Sequence, residues 1–156
     1  MKKLLLLLIL VCSNLFAADL AMQIAQLQVI TEDYPPLNYL EEGELKGSSV
    51  EILQRVYQQL DQPFPEVEVM PWARGFHLAQ SDKPVMLFTM SRTAKRENMF
   101  QWAGYTHSSR TFLVTYEGSG IEEYDPRTRQ DERIAAITSD VTQYAIEELG
   151  YPKDMI

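Results

Sequence analysis

Cysteine occurs once in this chain, at position 12, and histidine twice, at His77 and His107. The lone thiol lies in an apolar leader, so the rest of the chain can close no intrachain disulfide and its core must hold by packing. Two histidines far apart in sequence, with no further cysteine, make no zinc-ligand spacing. Each reads as a surface or hydrogen-bonded histidine. GxGxxG, the Walker-type glycine loop, HExxH, GxSxG and CxxC are all missing, so nucleotide, zinc-hydrolase and serine-hydrolase chemistry lack their motifs. No metal or cofactor is implied. Positive charge is scarce too, with 14 Lys and Arg against 22 Asp and Glu. Every acidic residue follows position 17 and two of the basic ones precede it, so residues 18–156 carry 12 against 22, a charge of −10. Such a chain repels phosphate backbones and anionic lipid, which argues against nucleic acid or a membrane surface as partner. Beyond the leader, no apolar run is long enough to span a bilayer.

The leader itself is informative. Lys2-Lys3 gives a positive start, Leu4 to Val11 an unbroken apolar run, and Ala17-Ala18 the small residues a signal peptidase needs. Residues 1–17 therefore read as a cleaved export signal, placing the mature chain in the periplasm; the alternative is an uncleaved anchor, which the short run disfavours. Val11 before Cys12 does not suit lipidation. Little nucleotide cofactor exists in that compartment, so solute capture, cell-wall chemistry and sensing gain weight. The 139 residues left of 156 suffice for one ordinary domain and are short for two.

Leu27 to Thr31 has strand composition, followed by turn residues at Tyr34-Pro35-Pro36. Leu37 to Leu40 forms a short extended piece, closed by Glu42-Gly43-Glu44. Ser48 and Glu51 have capping-box spacing, and Val50, Leu53, Tyr57 and Leu60 recur at helical period up to Asp61-Gln62-Pro63. Val67 to Val69 alternates like a strand. Pro71 suits a helix start, with Trp72, Phe76 and Ala79 on one face. Val85 to Phe88 is apolar without alternation, as expected of a strand covered on both faces. Phe112 to Val114 and Ile134 to Ile137 are further strand candidates, and 118–129 reads as a surface loop. Asp140 and Gln143 make a second capping box, before a helix stopped by Gly150 and Pro152. Strands alternating with helices predict an α/β fold around a mostly parallel sheet.

The chemistry-bearing stretch is Leu87 to Glu97. A buried strand runs into hydroxyls at alternate positions, Thr89, Ser91 and Thr93, and then into Arg92, Lys95 and Arg96. In open parallel sheets ligands sit at the carboxyl ends of strands, and alternate residues of an extended segment face one way. An arginine there suits a carboxylate, because its planar fork donates two parallel hydrogen bonds. The competing reading is a solvated basic turn pairing with Glu97.

At these residues the chain resembles the family 3 extracellular solute-binding proteins. The likeness lies in Val29 to Tyr39, in Gly43 to Gly47 opening a helix, in Met70-Pro71-Trp72-Ala73-Arg74-Gly75, and in Thr93 to Glu97 followed by Phe100 to Tyr105. Residues 134–150 resemble that family's entry into a second lobe. The resemblance implies a type II periplasmic-binding-protein lobe over residues 18–112 and the start of a second lobe over 113–156. It further implies a monomer that captures a small polar solute, an amino acid or similar carboxylate, for an ABC permease. Arg96 matches the arginine that grips the ligand's carboxylate, Ser91 and Thr89 match neighbouring contacts, and Tyr34 matches an aromatic packed on the ligand. Trp72 and Arg74 belong to one branch's element near the cleft or hinge, and Glu32 is a candidate cleft acid. For Tyr34 and Trp72 core packing competes with ligand stacking, and for Glu32 an exposed strand end competes with an ammonium contact. The chain departs from the pattern at Ser48-Ser49, at Ser81 to Pro84, and at Asp140-Val141, where a carboxylate would repel a ligand's acid group. Ending at Ile156, it is expected to lack the segment that returns to the first lobe, leaving apolar surface uncovered. The resemblance leaves two further readings open: a dehydratase-like enzyme with Glu32 as its acid–base group, and a sensory ligand-binding domain.

Overall fold

The structure, a computed structural model, describes residues 21–121 and 133–156. The expected export signal at 1–17 lies outside them, as does most of the expected loop at 118–129.

Three short strands form a parallel sheet in the order β4-β1-β5, where β1 is Gln28–Thr31, β4 Val67–Val69 and β5 Val85–Leu87. Val29 stands opposite Val67 on one side and Met86 on the other, so β1 is the central strand. It is also the most apolar by burial, with Val29, Ile30 and Thr31 all at or below 1% exposed. Successive side chains of a strand face opposite ways, and both faces are covered here. On one face Val29 joins Val50 and Phe88, with Leu45, Leu53, Val67 and Met86 packed around them. On the other, Ile30 and Leu87 approach Gly75. Helix α1 (Ser48–Gln59) therefore lies over one side and α2 (Trp72–Leu78) over the other, with the sheet between. β5 is only half-buried rather than sealed on both faces, because it is an end strand of the sheet among the described residues.

A hairpin of β2 (Tyr39–Glu41) and β3 (Glu44–Lys46) precedes α1, Leu40 facing Leu45. Its two loop residues, Glu42 and Gly43, both take positive φ (54° and 84°), the conformation whose twist suits a two-residue hairpin. β2 and the turn after it are legible in the sequence, whereas the three residues of β3, Glu44-Leu45-Lys46, carry no strand signal of their own.

The expected Ser48–Glu51 capping box does not form. Gly47 is the N-cap, at φ 123°, and no side chain caps the helix. The orphan N–H groups go instead to backbone: Ser49 N–H donates to the Leu37 carbonyl at 2.9 Å. That approach needs glycine at 47, since a Cβ there would fall on the Leu37 carbonyl. At its far end α1 closes with a Schellman pair, Asp61 N–H to the Gln58 carbonyl and Gln62 N–H to that of Tyr57.

Helix α3 (Val141–Glu148) starts as read, with Asp140 as N-cap accepting from Thr142 N–H at 3.0 Å. Gln143 reaches back one residue further than a capping box requires, accepting from Ser139 N–H at 2.7 Å. Gly150 at φ 86° ends the helix, with Tyr151 N–H bonded to the Ile146 carbonyl and both side chains buried. The expected strands at 112–114 and 134–137 are not formed. Phe112, Val114 and Ile137 are exposed, and these segments have no ladder partner among the described residues. Strand composition alone leaves backbone donors unpaired until a neighbour supplies them.

Candidate functional site

All three strands run the same way, so the segments leaving their carboxyl ends emerge along one edge. Glu32 leaves β1, Met70-Pro71-Trp72 leaves β4, and Phe88 to Ser91 leaves β5. Four of the expected ligand residues, Glu32, Trp72, Thr89 and Ser91, share this edge on topology alone, and Arg96 is folded back onto it.

Arg96 is the largest fully buried side chain among the described residues, 1% exposed. Its Nη1 donates to the Ser91 carbonyl at 3.2 Å and its Nη2 to the Ser139 carbonyl at 3.1 Å. The guanidinium carbon stands 5.1 Å from the ring centre of Trp72, 4.9 Å from Phe76 and 6.0 Å from Tyr144, so aromatic faces wall it in. Nε is buried with no partner. Among the described residues the side chain makes no ion pair. Burial pulls its pKa below the ordinary arginine value, while the Asp140 carboxylate and Tyr144 pull the other way.

The basic cluster thus splits. Arg92 is the solvated member, forked onto Glu97 at 2.8 and 2.5 Å and lying over Trp102 and Tyr105. Lys95 places its ammonium 3.5 Å from the Tyr144 ring centre. Only Arg96 turns inward.

Trp72 is buried, stacked on Phe76 at 5.4 Å, and its indole N–H donates to the Ser139 carbonyl at 3.0 Å. Pro71 at φ −55° fixes the turn into α2 that points the indole along this edge. Thr89 sits at φ 66°, a left-handed conformation that a β-branched residue seldom adopts, and its hydroxyl is buried without a partner. Ser91 meets Arg96 through its carbonyl rather than its hydroxyl.

Glu32 is half-buried, and its carboxyl is pushed from 4.5 to about 7, chiefly by burial and further by the nearby Asp140 charge. Its carbonyl accepts from the buried Asn38 amide at 2.7 Å. Tyr34 lies 43% exposed in a turn closed by a cis Pro35–Pro36 bond, and its ring makes no aromatic contact among the described residues. Arg74 is exposed on α2, without an ion pair among the described residues. The arrangement therefore gathers Arg96, Trp72, Ser91, Thr89, Glu32 and Asp140, and leaves Tyr34 and Arg74 at the surface. Phe76, Tyr144 and the Ser139 carbonyl were not expected in it. The first two carried only a helical spacing signal, and a backbone acceptor carries none.

A groove of about 380 Å³ lies elsewhere, between the last turns of α1 and Phe64. None of the residues named above lines it. Among the described residues no cluster of three His, Cys, Asp or Glu could hold a metal, and no helix is long and apolar enough to cross a membrane.

A parallel sheet with a helix on each face is an architecture that takes its ligands at the carboxyl ends of the strands, the edge to which Arg96 is folded. The chain belongs to the bacterial extracellular solute-binding proteins, family 3, whose profile matches residues 27–149. That membership gives it a solute-binding role outside the cytoplasm. No curated protein and no solved structure matches it significantly.

Proposed function

We propose that the protein is a periplasmic binding component that captures a small polar solute, an amino acid or similar carboxylate, for an ABC permease. Residues 18–112 serve as the first lobe in this reading and 113–156 as the beginning of a second. The observation that carries it is the buried guanidinium of Arg96, which makes no ion pair among the described residues. Removing a guanidinium from water costs several kcal/mol, and the Asp140 carboxylate offsets that only from a distance, so the site gains by receiving an anion in contact. Ser91 and Thr89 supply polar groups beside it, Trp72 a flat apolar wall, and Glu32 a carboxyl that can meet an ammonium group. Tyr34 and Arg74 reach the ligand from the rim. A thermal-shift screen of amino acids, dicarboxylates and polyamines tests the reading. A carboxylate-bearing hit should raise Tm of the wild type and not of Arg96→Ala. Equal shifts in both chains contradict it.

One observation favours a second reading, an enzyme of dehydratase type. A carboxyl with pKa near 7 is suited to general acid–base work at neutral pH. Turnover of a stabilising hit that is lost in Glu32→Gln would support it; binding without product formation favours the carrier.

A further inference from the structure

The fork of Arg96 is not empty. Its Nη2 and the Trp72 indole N–H converge on one oxygen, the Ser139 carbonyl, at 3.1 and 3.0 Å. Two donors aimed at a single acceptor, one of them cationic, make the pattern expected around one oxygen of a bound carboxylate. Ser139 is held there on both sides, because its own N–H is gripped by Gln143 Oε1 at 2.7 Å. It also holds φ at 62°, a left-handed conformation that is strained for a non-glycine residue. Two side chains from the sheet edge and one from α3 thus keep a strained peptide in the anion position.

We propose that the Ser139 carbonyl is an internal stand-in for the ligand, and that an oxyanion binds Arg96 and Trp72 by displacing it. The inference rests on the reading of Arg96 as the solute's anchor. It adds that binding is coupled to release of the turn before α3, so the site is self-occupied until a ligand arrives. The same coupling weakens apparent affinity by the population of the latched form. The strain stored at Ser139 favours release.

The turn can be tightened or loosened without altering Arg96 or Trp72. Ser139→Gly accepts the same φ without penalty and should hold the latch harder. Gln143→Leu removes the grip on the Ser139 N–H and should loosen it. The probe is acetate, titrated against chloride at matched ionic strength into the full chain. The readout is the Trp72 indole N–H signal by NMR, distinguished from Trp102 with Trp102→Phe. Acetate should bind about fivefold more weakly to Ser139→Gly and about fivefold more tightly to Gln143→Leu. In the wild type, amide exchange across α3 should quicken as acetate saturates. Acetate affinities that are equal in the three chains, or ordered the opposite way, overturn the latch while leaving Arg96 as an anion site. An indole signal that acetate leaves unmoved in every chain overturns both. Should Gln143→Leu lose its α3 protection altogether, Ser139→Gly against wild type decides the question alone.

Discussion

At the scale of single residues the site is a balance of charges held out of water. Arg96 has lost its hydration and received two carbonyls and three aromatic faces in return, none carrying a full negative charge. Glu32 shows the complementary imbalance, a carboxyl that burial and Asp140 keep protonated up to about pH 7. Its pKa is higher in the folded chain than in the unfolded one, so the folded state binds more protons between pH 4.5 and about 7. Stability must therefore fall as pH rises through that window and level off above it. Glu32→Gln should abolish this slope. Relative to the variant, wild type should lose on the order of 1–2 kcal/mol between pH 5 and 8, after allowance for partial exposure of the carboxyl. Parallel urea titrations of the two chains measure it. Identical pH profiles would show that Glu32 is solvated like an ordinary carboxylate.

At the scale of elements, the order of strand and helix was legible where apolar periodicity was strong. Val29-Ile30 and Val85-Leu87 read as strands because their residues are β-branched or apolar and bounded by turns, and Val67-Glu68-Val69 because it alternates. What failed depended on partners distant in sequence. Ser48 has the spacing of a cap, but Gly47 lets the chain approach Leu37, and a backbone carbonyl takes the N–H first. Phe112 to Val114 has strand composition and no neighbour to complete it among the described residues. The site was half legible for the same reason. Arg96, Trp72, Ser91 and Thr89 announce themselves as side chains, whereas the oxygen that joins Arg96 to Trp72 belongs to a peptide bond. Asp140 serves two elements at once, capping α3 and raising the Glu32 pKa. The two roles separate by substitution. Asp140→Ala should cost about 1 kcal/mol of stability by chemical denaturation, while Asp140→Asn, which still caps, should cost only a few tenths. Both should lower the Glu32 pKa, observable by NMR titration of its carboxyl carbon. Equal losses in the two variants would remove capping as the cause.

At the scale of the whole molecule, one parallel sheet organises everything else. β1 buries both its faces, α1 takes one and α2 the other, and the three strand ends deliver their following segments to a common edge. The edge carries the buried cation, the raised carboxyl and two of the four non-glycine residues at positive φ, Thr89 and Ser139. A buried cation and a carboxyl of raised pKa on one edge are what a fold that has given up some stability to function is expected to show.

The most direct measurement is the calorimetric Kd of the best carboxylate hit for wild type and for Arg96→Lys, which keeps the positive charge but loses the fork. If the guanidinium anchors the solute, Kd should rise about 100-fold in the variant at unchanged stoichiometry. An unchanged Kd in a folded Arg96→Lys chain would mean that the solute is held somewhere else.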